Sequence, residues 1–121
     1  MPQKGASQAF VGAEHGGVGL SAYLFTGPPG RSIGRHSHPY VEVHFVEAGR
    51  GEWHVGEQRF EAGAGDIVVL EPGDVHGVTV LGDAPLRVIG VHLSAEFVQT
   101  AASRAADVAI ASSRGASLTQ A

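Results

Sequence analysis

The chain contains no cysteine. That absence excludes disulfides, thiolate nucleophiles and Cys-ligated zinc or iron–sulfur centres, so any transition metal must be held by imidazole and carboxylate. Positive charge is also scarce: eight Lys and Arg residues against twelve Asp and Glu leave a net charge of −4 with His neutral. The basic residues are scattered, so there is no electrostatic footprint for a phosphate backbone and direct nucleic-acid binding is not expected. Long apolar runs are missing as well. No stretch approaches the roughly 18 apolar residues of a membrane span, and the N-terminal MPQKGASQAF has one Lys but no apolar signal core. With no such signals, a cytoplasmic location is the expectation. Charged residues make up only 17% of the 121 residues against 43% hydrophobic, which suits one globular domain with a single core.

What the chain has in quantity is glycine, eighteen residues of it. From Leu20 onward short apolar or alternating runs recur every eight to twelve residues or so, the spacing of an all-β sandwich or barrel. The expected strands are Leu20–Thr26, Ile33–His38, Val41–Glu47, Glu52–Val55, Gln58–Glu61, Asp66–Leu70, Val75–Val80 and Arg87–Leu93. GPPG, AGRG, VGEQ, AGAG, EPGD and LGDAP separate them, each with a Gly for a tight reversal. After Leu93 the texture changes. Ser94 reads as an N-cap, Glu96 lies in the first turn, and Phe97, Val98, Ala101, Ala105 and Val108 follow at helical spacing. The expected organisation is therefore a loose arm over 1–18, a β-barrel over 19–94, a C-terminal helix over 95–111 and a flexible tail over 112–121.

Chemistry concentrates in Gly34–Phe45, GRHSHPYVEVHF. In an unbroken strand His36, His38, Tyr40, Glu42 and His44 share one face, with Val41, Val43 and Phe45 on the other. Three readings fit: a metal site, an acid/base cluster, or the wet face of an ordinary strand. Against the last, this face carries imidazoles and a carboxylate rather than the usual Lys, Thr and Ser.

The surrounding residues fit a longer pattern. Gly30, His36, His38, Glu42 and Gly49 form G-x5-H-x-H-x3-E-x6-G, and Gly65, Gly73 and His76 fall into the register of G-x5-P-x-G-x2-H-x3-N. Both motifs resemble those of the cupin superfamily, over roughly residues 20–93. Two motif positions depart from the family: Glu71 stands where the first Pro belongs, with Pro72 one place later, and Val80 replaces the Asn. The resemblance implies an all-β fold, a jelly-roll-like double-stranded β-helix barrel, and metal ligands at His36, His38, Glu42 and His76. Three imidazoles and one carboxylate suit Mn, Fe, Co, Ni, Cu or Zn, one divalent ion per chain, and leave two octahedral positions open.

His44 matches no ligand position and is a candidate catalytic or supporting group. Tyr40 and Trp53 are candidate pocket residues, the indole as a wall against a bound ring. His54 alternates away from Trp53 and is expected on the surface, and His92, near the end of the last strand, fits an interior structural role at least as well as a functional one. His15 receives no role.

The stretch from His36 through Val78, with LRVIGVHLSAEFV, is also similar to the N-terminal sensor barrel of AraC-type regulators, which binds a small effector and dimerises. Two functional expectations follow, beside a purely structural dimeric barrel that would leave the four motif residues without purpose. One is a metal-dependent enzyme, a dioxygenase acting on a diketone or phenolic compound or an isomerase. The other is a non-catalytic sensor or binding barrel. In both the partner is a small organic molecule and the chain forms a homodimer, with Phe97, Val98, Ala101 and Ala105 as a candidate interface or, more simply, packed on the chain's own barrel.

Overall fold

The computed structural model describes residues 8–101 and the backbone pairing of Thr119–Gln120. The chain folds as two antiparallel sheets. One carries β1 (Ala9–Phe10), β2 (Ser21–Gly27), β9 (Leu86–His92), β4 (Glu42–Ala48), β7 (Ile67–Leu70) and β11 (Thr119–Gln120) in that order. The other runs β10 (Thr100–Ala101), β3 (Ser32–Ser37), β8 (His76–Leu81), β5 (Arg50–Val55) and β6 (Gln58–Gly63). All eight expected strands are present, with ends shifted by no more than two residues. This is the double-stranded β-helix that the motifs implied.

The chain crosses between the sheets at nearly every turn, so neighbours in sequence sit on opposite walls of the interior. Between them lies one apolar cluster that includes Val46, Trp53, Val68, Leu70, Val78, Leu86 and Val88. On β4 the burial alternates as expected, with Glu42, His44 and Val46 inward and Phe45 and Glu47 outward. Gly73 turns β7 into β8 at a left-handed φ of 84°, and its N–H donates to the His38 carbonyl at 2.8 Å. The turn of the second motif is thereby fastened to the first. Glu71, the departure at the Pro position, donates its N–H to Asp74 Oδ2 at 2.9 Å, which closes the same turn without proline. Val80 fills the Asn position as a core residue, 3% exposed.

Two segments differ from expectation. Part of the arm is structured: Ala9–Phe10 pairs with β2, and Gly12–Glu14 forms one 3-10 turn. Residues 95–101, the described part of the expected helix, are not helical. Ser94 Oγ accepts the Glu96 N–H at 3.1 Å as a cap would, but the Ser94 carbonyl is taken by the buried Ser21 hydroxyl at 2.9 Å. Thr100 and Ala101 then pair with Ser37 and His36 at the edge of β3. Tertiary hydrogen bonds override helical periodicity here. The expected helix beyond 101, with Ala105 and Val108, lies outside the described residues. So does most of the expected tail, of which Thr119–Gln120 pairs with Val68 and Val69 of β7. No helix among the described residues is long and apolar enough to cross a membrane.

Candidate metal centre

The histidine stretch is not one strand. β3 ends at Ser37 in one sheet and β4 begins at Glu42 in the other, so residues 38–41 form a corner. His36 and Glu42 face each other across the interior rather than lying along one strand. His36 is aimed by a bulge: β3 pairs Ile33 with Val78 and His36 with His76, spending one more residue than β8 between those pairs. Both Ile33 and His36 can therefore point inward. The bulge needs Gly77 opposite it, where a Cβ would lie 2.7 Å from the Ile33 carbonyl oxygen.

These elements bring one ligand atom each from His36, His38, Glu42 and His76 within 4.8 Å of one another. The hydrogen bonds fix the imidazole tautomers. The Nδ1 atoms of His36, His38 and His76 lie 2.8, 2.7 and 3.0 Å from the carbonyl oxygens of Gly34, Val98 and Asp74. A carbonyl only accepts, so each Nδ1 carries the proton and each neutral ring presents a bare Nε2 lone pair. The Nε2 atoms of His38 and His76 approach Glu42 Oε1 at 3.2 Å, yet these three buried atoms have no aligned hydrogen-bond partner. Lone pairs converging on a buried carboxylate oxygen are costly unless a cation sits among them. The donor set fits a borderline transition ion.

The second carboxylate oxygen of Glu42 is occupied by donors. Tyr23 donates its hydroxyl to Oε2 at 2.8 Å, and the Nε2 atoms of His44 and His92 lie 2.7 and 3.0 Å away. Trp53 Nε1–H donates to His44 Nδ1 at 2.9 Å, which leaves the proton of His44 on Nε2, facing Glu42. Tyr40 Oη lies 2.6 Å from His92 Nδ1 and sets that ring the same way. Burying a carboxylate costs several kcal/mol, and three donors on one oxygen offset that cost while leaving Oε1 for a metal. Burial alone would raise the Glu42 pKa, but the neighbouring imidazoles outweigh it and hold the carboxyl ionised, well below the usual range.

Tyr23 is not singled out by the sequence, and for His92 the sequence admits both an interior structural role and a functional one. Glu42 pairs with His92 and His44 with Gly90 across β4 and β9, while Tyr23 pairs with Gly90 across β2 and β9. Tyr23 reaches β4 by lying over Gly90, where a Cβ would fall 2.3 Å from the phenol ring. An isolated glycine inside VIGVH is the trace this contact leaves in the sequence.

Comparison with known proteins gives the same fold a family. The model of the AraC-like ligand-binding domain matches residues 18–116. The chain belongs to that family. This AraC-like domain is 29% identical over 65 residues to an oxalate-binding protein of Thermotoga maritima. The match covers 53% of this chain and 54% of that one, so it spans about half of the relative. A double-stranded β-helix protein from Klebsiella pneumoniae superposes with a TM-score of 0.67 at 27% identity, over 72% of this chain and 77% of that one. Bacillus subtilis oxalate decarboxylase, an enzyme with Mn(II) centres, superposes with a TM-score of 0.65 at 23% identity, over 68% of this chain and 23% of the enzyme. That last likeness is one of fold.

The AraC-like domain opens beside the cluster. A pocket of about 460 Å³ is lined by Tyr23, His36, His38 and His92 from the barrel and by Phe97 and Gln99 from the segment after it. Burial and the adjacent His76 push the His36 pKa down to about 4, so this ring stays neutral at physiological pH. Burial works against charge on His38 too, but Glu42 and the Val98 carbonyl outweigh it and raise its pKa, so a metal must displace that proton. Burial and the carboxylate of Glu42 raise the Tyr23 pKa, which keeps the phenol a donor.

The other sequence candidates fall elsewhere. His44 does not line this pocket; it is buried between Glu42 and Trp53. Trp53 is fully buried in the core cluster, where it and His44 help line a small cavity of about 20 Å³, rather than forming a wall of the mouth. Tyr40 is half-buried and stacks on His38, with ring centroids 5.3 Å apart. His54 is half-exposed beside Glu52, as its alternation implied.

Proposed function

We propose that this domain holds one divalent transition metal per chain on His36, His38, Glu42 and His76, and binds a small organic molecule in the pocket beside it. The observation that carries the reading is the convergence of Nε2 lone pairs, each ring pinned through Nδ1 to a backbone carbonyl, on an otherwise unpartnered Glu42 oxygen. A bound ion of this kind supplies Lewis acidity and open coordination positions.

The chain's own residues do the rest. The three backbone carbonyls hold the imidazoles in register, and Tyr23, His44 and His92 hold Glu42 so that one oxygen faces the site. The pocket's mix of phenol, imidazole and Phe97 suits a compact molecule with an oxygen-donor head and a flat or apolar body. The name of the Thermotoga relative adds small dicarboxylates to the ligands to be tried. Binding is the first reading because the barrel's interior donors are committed to Glu42. Turnover of the dioxygenase or isomerase kind is the second, favoured by the direct opening of the pocket onto His36 and His38. Leu93, Phe97 and Val98 are exposed and apolar, which supports pairing of two copies.

Elemental analysis of protein purified without added metal tests the centre. The expected result is about one transition metal per chain, lost in His76→Ala and Glu42→Gln; a folded protein that takes up no such ion overturns it. Calorimetric titration of the loaded protein with oxalate, acetylacetone and catechol, followed by oxygen uptake with Fe(II), separates binding from turnover. Light scattering at micromolar concentration decides the dimer.

A further inference from the structure

The segment that follows the barrel, Ser94–Ala101, is tied to the site by more than chain connectivity. Val98 carries its two backbone groups into it. Its carbonyl accepts the Nδ1–H of His38 at 2.7 Å, and its N–H donates to Tyr40 Oη at 2.9 Å. That same Tyr40 oxygen lies 2.6 Å from His92 Nδ1, and His92 Nε2 lies 3.0 Å from Glu42 Oε2. One residue is thus linked directly to one member of the cluster through its carbonyl and, through its N–H, Tyr40 and His92, to another. The segment is bound at both ends of this contact, by the Ser21 hydroxyl on the Ser94 carbonyl and by the pairing of Thr100 and Ala101 with β3. Phe97, next to Val98, packs edge-on against His92 with ring centroids 4.7 Å apart and forms part of the pocket wall with Gln99.

We propose that Tyr40 is a positioning residue that couples the metal centre to this strap, so that filling the centre fixes residues 94–101 across the mouth. The proposal rests on the metal reading above. The physical reason is linkage. The Val98 carbonyl fixes His38 in the tautomer that presents Nε2, and an ion on Nε2 makes the Nδ1–H a stronger donor to that carbonyl. Each event favours the other, and the coupling is reciprocal. Tyr40 adds the second tether: while its hydroxyl reaches His92 Nδ1 within the barrel, it also accepts from Val98 N–H and lies 3.2 Å from the Val98 carbonyl, contacts that exist only when the strap is docked. The ring itself is held by stacking on His38 and does not need the strap.

The test uses the full chain with Co(II) as the probe, read by amide hydrogen exchange over residues 94–101 and by the visible Co(II) bands. In the wild type, loading should slow exchange at Val98, Thr100 and Ala101 by about ten-fold or more. Tyr40→Phe keeps the ring and its stacking. It should still bind Co(II), about 10-fold more weakly by the usual cost of losing an outer hydrogen bond, with shifted bands and without the slowed exchange. Val98→Pro, which removes the N–H and leaves the barrel untouched, should behave as Tyr40→Phe does and guards against misfolding of either variant alone. Co(II) binding with no change in strap exchange in the wild type, or full metal-dependent protection in both variants, overturns the coupling while leaving the metal centre standing. A wild-type chain that binds no Co(II) overturns the centre and the coupling together.

Discussion

The two ends of the barrel interior are built from the same strands and do opposite work. Along β4 the inward residues run Glu42, His44, Val46; along β9, in the opposite direction, they run His92, Gly90, Val88, Leu86. Pairing sets Glu42 against His92 at one end and Val46 against Val88 towards the other. Half of each strand is therefore a polar site and half an apolar core. Trp53 sits where they meet, its ring in the apolar cluster and its N–H on His44. The difference teaches where free energy goes: the apolar end supplies burial, and the polar end gathers converging lone pairs that a cation would satisfy.

The sharpest way to break this division is to damage the core alone. Leu86 is fully buried, and Leu86→Ala should cost about 2–5 kcal/mol through the lost transfer energy and the cavity left behind. Urea melts of metal-free and metal-loaded protein should shift by the same amount, with about one metal still bound per folded chain. Unequal shifts would show that the two ends are not separate. Chelation is the complementary perturbation. At a metal concentration about 100 times Kd, loading stabilises the fold by about 2.7 kcal/mol, and a chelator should remove that amount while leaving the Leu86→Ala increment unchanged.

The division also explains what could be read before the structure. The eight strands were legible because their turns carry glycine and their faces alternate, both local signals. His36, His38, Glu42 and His76 stood out by spacing, and the structure brings them together. Two of the partners of Glu42, Tyr23 and His92, did not, because they lie on β2 and β9, strands that are distant in sequence and meet β4 only through the sheet order. Tyr23 left just one sign, the small residue it crosses. Over residues 95–101 the expected helix is absent for a related reason: Ser94 and the Phe97–Val98 pattern are local helix signals, but the atoms they would use are bound by Ser21, His38 and Tyr40.

Gly90→Ala tests that crossing. The new methyl would collide with the Tyr23 ring, an overpacking worth about 1–3 kcal/mol, and would push the phenol off Glu42 Oε2. Loss of both stability and metal affinity is the expected outcome, measured by melting and by competition with a chromophoric chelator. A loss of stability alone would place Tyr23 with the core.

The smallest effect on stability should come from the residue at the meeting point. Trp53→Phe keeps most of the apolar volume and deletes the donor to His44, a net loss of about 1 kcal/mol. Its consequence at the site is larger than that figure implies. Without the indole N–H, His44 is no longer held with its proton on Nε2, and when the proton moves to Nδ1 a lone pair faces the Glu42 carboxylate. Glu42 then loses a donor without losing any residue of the cluster, so metal affinity should fall about 10-fold, as it does when outer partners of metal ligands are removed. If affinity stays unchanged while stability drops, Trp53 belongs wholly to the apolar end and the two halves meet without exchanging influence.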